Sequence, residues 1–90
     1  MLAFKDLNPQ APVHVLVIPK KHIAGIHELP AMKPFRLETL FEMANEVARR
    51  FQIDERGYRL VINHKSEGGQ TVDHLHLHLL GGRPMHWPPG

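Results

Sequence analysis

Cysteine is absent from the 90-residue sequence, and long apolar runs are absent as well. The lack of cysteine excludes a disulfide framework, a zinc ribbon, an iron–sulfur cluster and a thiol nucleophile. No apolar run approaches the ~18 residues that a membrane-spanning helix needs. The N-terminal stretch Met1–Asp6 also lacks the pattern of a signal peptide. We therefore expect a cytoplasmic protein with no membrane partner.

A strong charge of one sign is missing too. Eleven basic and nine acidic residues leave a formal net charge of +2. The basic residues are scattered, with doublets at Lys20-Lys21 and Arg49-Arg50. Such a distribution predicts a solvated surface and no nucleic-acid partner.

The length supports one domain, which we place at residues 1–90, with 83–90 as a C-terminal tail. A chain of this size is expected to bury roughly 64% of its unfolded surface. That fraction supports a thin core, so association of two chains offers a way to bury more surface.

One stretch has helical periodicity. Its apolar residues recur at spacings of three and four, which places them on one side of a helix. Pro34 suits the first helical turn, and Arg49 and Arg50 suit the negative end of the helix dipole. The apolar stripe consists of Leu37, Leu40, Phe41, Ala44, Val47, Ala48 and Phe51.

Three other stretches predict strands. Val13–Ile18 is rich in β-branched residues and ends at Pro19, which cannot donate a ladder hydrogen bond. Tyr58–Asn63 and His74–Leu80 predict two more strands, and the loop Lys65–Thr71 between them has two glycines at its centre. One long helix on an antiparallel sheet is the economical arrangement, so we predict an α+β fold.

Histidine is the unusual component, with eight residues, three of which fall within five positions. In a strand, the alternation from 74 to 80 turns the leucines toward the core and His74, His76 and His78 toward the other face. One explanation is an edge strand whose polar face happens to be histidine. A metal site is another, but His74 and His78 lie ~13 Å apart, so a tight site needs His14 or a carboxylate. We predict neither a metal nor a cofactor.

The loop before the histidines favours phosphate chemistry. Gly68, Gly69, Gln70 and Thr71 offer backbone, amide and hydroxyl donors to an anion. Histidine, with a reference pKa of about 6.5, can act near neutral pH as a nucleophile or as a proton donor.

The alternating stretch matches the pattern His-φ-His-φ-His-φ-φ, where φ is apolar, without a departure. In this the sequence resembles the histidine-triad (HIT) superfamily, and further segments resemble its Hint-like branch, the purine nucleoside phosphoramidases. Those segments are Phe4-Lys5-Asp6, Pro9–Pro12, His14, Val17–His22, Asn63, Gly68–Thr71, Gly81–Arg83 and Trp87–Gly90.

The resemblance implies a role for each histidine. His76 is expected to be the nucleophile that forms a nucleotidyl-histidine, and His78 to hold phosphate oxygens and help to protonate the leaving group. His74 is expected to bond to the backbone, and His14 to join the histidine network behind the nucleophile. Trp87 is expected to reach toward the site of a twofold-related partner and tune specificity. The implied nucleotide contacts are Phe4, Asp6, Leu7, Asn63, Gly69, Gln70, Thr71 and His78.

The resemblance also implies an activity, the hydrolysis of the P–N bond of purine nucleoside 5′-phosphoramidates by a homodimer, with an AMP-like nucleotide as partner. Three alternatives stay open: a dinucleoside polyphosphate hydrolase, a nucleotide-binding or protein-interaction module with little turnover, and a metal-binding module. Members of the branch usually carry a helix and a strand ahead of the position of Leu2. Without them we expect a sheet of about four strands, with an edge that is exposed or paired with another chain, and reduced activity.

Overall fold

The computed structural model describes residues 1–31 and 37–90. Four strands form one antiparallel sheet in the order β1-β2-β4-β3. The α+β prediction is therefore confirmed. Pro34, predicted in the first helical turn, lies outside the described residues. The elements are β1 (Leu2–Lys5), β2 (Val13–Ile18), a 3₁₀ helix (Ile26–Ala31), α1 (Glu38–Arg50), β3 (Tyr58–Val61) and β4 (Leu77–Gly81).

One face of the sheet packs against α1 and forms the core. The leucines at positions 75, 77 and 79 are at most 1% exposed, as their alternation with histidine predicts. Val15 and Val17 of β2 lie beside them, and Leu40 and Ala44 of α1 cover them. Each large apolar side chain buried in this way contributes about 1.5–3 kcal/mol of transfer free energy. The histidines are thereby left on the opposite face.

The apolar stripe of α1 is only partly covered. Leu40, Ala44, Val47 and Ala48 are buried along its centre. The flanking residues Leu37, Phe41 and Phe51 are each nearly 40% exposed, because the stripe spans a wider arc than the sheet contacts. The ammonium of Lys5 lies 5.8 Å from the ring centroid of Phe51.

Two strands are shorter than the sequence predicts. β4 begins at Leu77 and not at His74, because β2 ends at Ile18 and Pro19 has no N–H to continue the ladder. The Leu75 N–H instead donates to the Ile23 carbonyl. β3 likewise ends at Val61, opposite His78, and not at Asn63.

β1 is the exposed edge of the sheet. Its four residues are all exposed, and it pairs on one side with β2. The sequence shows only loose alternation here and predicted no bounds for this strand, but the expected sheet of about four strands is confirmed. Within 1–31 and 37–90, no helix has both the length and the apolar character needed to cross a membrane.

Candidate active site

The second face of the sheet brings four histidines together. His14 of β2 is buried, and His74, His76 and His78 are half-buried along the segment that leads into β4. The register pairs Leu16 with His78, so His14 and His78 are diagonal neighbours. Their rings are 5.2 Å apart between centroids, and those of His76 and His78 are 4.9 Å apart.

His76 presents a ring nitrogen with a free lone pair. Its Nδ1 lies 2.7 Å from the carbonyl oxygen of His74. A carbonyl oxygen only accepts hydrogen bonds, so Nδ1 carries the proton and Nε2 keeps its lone pair. The backbone thus prepares Nε2 of His76 to act as a nucleophile or a base.

His74 holds this segment against the end of β2. Its Nε2 lies 3.0 Å from the carbonyl oxygen of Pro19 and donates to it. The ring also contacts His22, with centroids 5.3 Å apart. This bond anchors the His74 side chain to the residue after β2, in the segment whose backbone carbonyl orients His76.

The tautomer of His14 is set by a backbone amide. The Gln10 N–H donates to Nδ1 of His14 over 3.0 Å, so the ring proton of neutral His14 must be on Nε2. That Nε2 lies 2.9 Å from Nδ1 of His78 and donates to it. His78 therefore carries its own proton on Nε2. A chain of hydrogen bonds runs from the Gln10 amide through His14 to His78.

The chain ends in a buried donor. Nε2 of His78 is inaccessible to solvent and has no hydrogen-bond partner among the residues that the structure describes. Burial lowers the pKa of His78, the neighbouring rings of His76 and His14 lower it further, and the carboxylate of Asp6 opposes them. His78 is thus mainly neutral at neutral pH, and its N–H is an unsatisfied donor. An anionic oxygen can reach this N–H only if the groups around it move aside, because the atom is closed to solvent.

Asp6, His14 and His78 also form a cluster with the spacing of metal ligands. One ligand atom from each lies within 4.8 Å of the others, the one such group of three found in the described parts of the chain. The Gln10 bond, however, places a proton on Nε2 of His14, so that nitrogen has no lone pair for a metal. This geometry favours a hydrogen-bond relay over a metal site. Asp6 is the residue that the resemblance places at the ribose. In the structure its Oδ2 lies 3.4 Å from Nε2 of His14.

An apolar cavity of about 350 Å³ opens beside the nucleophile candidate. Of the predicted nucleotide contacts, Phe4 lines this cavity. Leu16 and Ile18 could have been found from the sequence, because a strand that is apolar on both faces must be covered on both. The lining consists of Phe4, Leu16, Ile18, Val72, His74 and His76.

The glycine loop uses its donors internally. The N–H groups of Gly69 and Gln70 donate to Ser66 and Lys65 within the loop. The Gln70 side-chain amide donates to the carbonyls of Ala24 and Val72 and accepts from the Lys65 N–H. In this conformation these groups shape the loop and do not point free donors at an anion.

The remaining predicted contacts are not gathered at the cavity. Asn63 is half-buried where β3 leads into the glycine loop, and Thr71 is exposed. Leu7 is fully exposed, and Trp87 is 82% exposed. The structure thus brings together the four histidines, Asp6 and Phe4.

Comparison with known proteins agrees with this fold and site. The family model of the HIT domain matches residues 1–85. An uncharacterized HIT-like protein of Synechocystis sp. is 55% identical over 89 residues, which are 99% of this chain and 77% of that protein. A HIT family hydrolase from Legionella pneumophila superimposes with a TM-score of 0.87 at 49% identity, over 98% of this chain and 79% of the other. A histidine triad protein from Clostridium difficile gives a TM-score of 0.87 at 39% identity, over 93% of this chain and 73% of the other.

An antiparallel sheet with one helix on one face and a row of histidines on the other defines a class of small α+β proteins. The chain belongs to the HIT domain family.

Proposed function

We propose that this protein is a hydrolase that cleaves the P–N bond of purine nucleoside 5′-phosphoramidates through a covalent nucleotidyl-His76. The observation that carries the proposal is the 2.7 Å bond from His76 Nδ1 to the His74 carbonyl. It leaves the Nε2 lone pair of His76 free, on a ring that lines the apolar cavity and lies 4.9 Å from the His78 ring between centroids. A neutral nucleophile beside a fixed donor suits attack on a charged phosphorus.

In the first step, Nε2 of His76 attacks the α-phosphorus while the purine occupies the cavity beside Phe4. The N–P bond to His76 forms, and the bond to the amine breaks, with its electron pair leaving on nitrogen. The amine takes its proton from solvent at the open side of the site. Neutral His78 is the weaker source, because the loss of its Nε2 proton would leave an imidazole anion in a half-buried position.

In the second step, water attacks the phosphorus of the nucleotidyl-histidine. The new P–O bond forms, the P–N bond to His76 breaks, and its electrons return to Nε2 as the lone pair. The water gives up a proton to solvent, and the nucleoside monophosphate leaves. In both steps the groups around Nε2 of His78 move aside for the phosphate, and the His78 N–H then donates to a phosphate oxygen and offsets the charge that accumulates there.

The other nucleotide contacts belong to the proposal as well. Asn63 and Thr71 contact the phosphate and the leaving group, and Asp6 contacts the ribose. Gly69 and Gln70 take part by shaping the loop that carries Thr71. Leu7 completes the base pocket, and Trp87 acts across a dimer.

The test is the release of ammonia from adenosine 5′-phosphoramidate by the purified chain. His76→Ala should lose activity by at least about a thousandfold, since removal of a covalent nucleophile eliminates both steps. His86→Ala, which changes an exposed histidine outside the site, is the matched control and should keep full activity. Mass spectrometry of the quenched wild type should detect an adenylyl group on His76.

Full activity in His76→Ala would refute the proposal. The loss of activity in His76→Ala does not distinguish a phosphoramidase from a polyphosphate hydrolase, because both reactions use the same attack on phosphorus. A parallel assay with a dinucleoside polyphosphate separates the two activities. Nucleotide binding without an adduct on either substrate would instead indicate a binding module.

A further inference from the structure

The turn after β4 holds the loop that precedes β2. Nη2 of Arg83 donates to the Gln10 carbonyl over 2.9 Å. Gly82, with a φ of +88°, lies so close that a Cβ at its position would be 2.8 Å from Cβ of Pro12. Two separate contacts therefore attach the loop around Gln10 to the end of the strand that carries His78.

The attached loop contains the amide that sets the tautomer of His14. Prolines at positions 9 and 12 restrict the loop and remove two N–H donors from it. The N–H of Gln10 donates to Nδ1 of His14, and its side-chain amide donates to the Asn8 carbonyl. A shift of Gln10 would therefore change what His14 Nδ1 contacts.

We propose that Arg83 is a positioning residue, which holds Gln10 so that His14 and His78 both carry their protons on Nε2. One part of this proposal rests on the proposed function, namely that the group which accepts the hydrogen bond from Nε2 of His78 is a substrate phosphate. Without the Gln10 N–H, His14 can carry its proton on Nδ1, and its Nε2 then accepts a hydrogen bond from the Nδ1–H of His78. His78 would in that case turn a lone pair, and not an N–H, toward the phosphate.

The test reads the tautomers directly in the ligand-free protein by nitrogen-15 NMR of the histidine rings. The wild type should show His14 and His78 protonated on Nε2. Arg83→Met, which keeps an unbranched apolar stem and removes the guanidinium donors, should show a mixture with Nδ1-protonated His14. Arg56→Met is the matched control, since Arg56 lines the same surface cavity as Arg83 and contacts neither Gln10 nor His14 in the described structure.

Unchanged tautomers in folded Arg83→Met would overturn the proposal. Should that variant not fold, Arg83→Lys has a shorter reach and a single donor group, and its fraction of Nδ1-protonated His14 must exceed that of the wild type. An unchanged fraction there overturns the proposal equally.

Activity provides a second and separable readout. In folded Arg83→Met, kcat/KM for adenosine 5′-phosphoramidate should fall by about tenfold, in line with other groups that orient a functional imidazole. Arg56→Met should retain the wild-type value. If the wild type has no activity, the proposed function fails, but the tautomers in the ligand-free protein still decide the role of Arg83.

Discussion

At the scale of single residues, the histidines of the site differ in what they can do because one ring nitrogen of each has a different hydrogen-bond partner. The carbonyl of His74 makes His76 Nε2 a free base, whereas the donor from His14 makes His78 Nε2 a proton carrier. The partner on one nitrogen decides what the other can do. The alternating sequence places these rings on one face but leaves all three equivalent.

The lowered pKa of His78 predicts a dependence of stability on pH. The pKa in the folded state lies below the unfolded value of about 6.5, so below that pH the unfolded chain binds more protons than the folded one. The free energy of unfolding should therefore fall as the pH is lowered from about 7.5 through 6.5 toward the folded pKa. Urea denaturation at several pH values measures this slope.

His78→Asn should lose part of that slope, and His86→Asn, which changes an exposed histidine, should keep it. Equal slopes in the wild type and in His78→Asn would contradict the assignment of the effect to His78.

At the scale of secondary-structure elements, what the sequence predicted depended on local pattern. The helix and the alternation of leucine with histidine follow from the spacing of neighbours along the chain. β1 was missed because its four residues carry no clear alternation, and the start of β4 was wrong because it depends on Pro19, more than 50 positions away. The relay from Gln10 to His78 likewise needs a contact across 64 positions. Local patterns therefore predicted the helix, β2 with its bounds and the histidine face, but not β1, the bounds of β3 and β4 or the proton positions.

A core leucine of β4 offers a test of how the sheet supports the site. Leu77→Ala should lower the free energy of unfolding by about 2–5 kcal/mol, since the side chain is 1% exposed and leaves a cavity against α1. Leu80→Ala, on the half-buried histidine face of the same strand, should cost less. Urea denaturation of both variants gives the comparison, and equal losses would show that the two faces are equally packed.

At the scale of the whole molecule, the chain exposes more surface than its size requires. The accessible surface is 6245 Å², against about 5,350 Å² for a typical monomer of this mass. The chain thus buries about 58% of its unfolded surface, less than the roughly 64% expected from its length. Large apolar side chains are among the exposed residues, as at Phe4, Phe41 and Phe51. This excess supports the proposal of a homodimer.

Sedimentation equilibrium tests that proposal. We expect a mass twice that of the chain at micromolar concentration, because the association covers apolar surface that is otherwise in contact with water. A single-chain mass at every concentration would contradict it.

The pairing of Leu16 with His78 has a consequence for changes in chain length. One residue inserted between Leu75 and Gly81 would exchange the two faces of the strand on one side of the insertion, with imidazoles turned into the interior and leucines turned to the histidine face. Fold and chemistry would fail together. Insertions and deletions are therefore tolerable in loops such as that around Gly57, whereas from 75 to 81 this protein can evolve by substitution but not by a change of length.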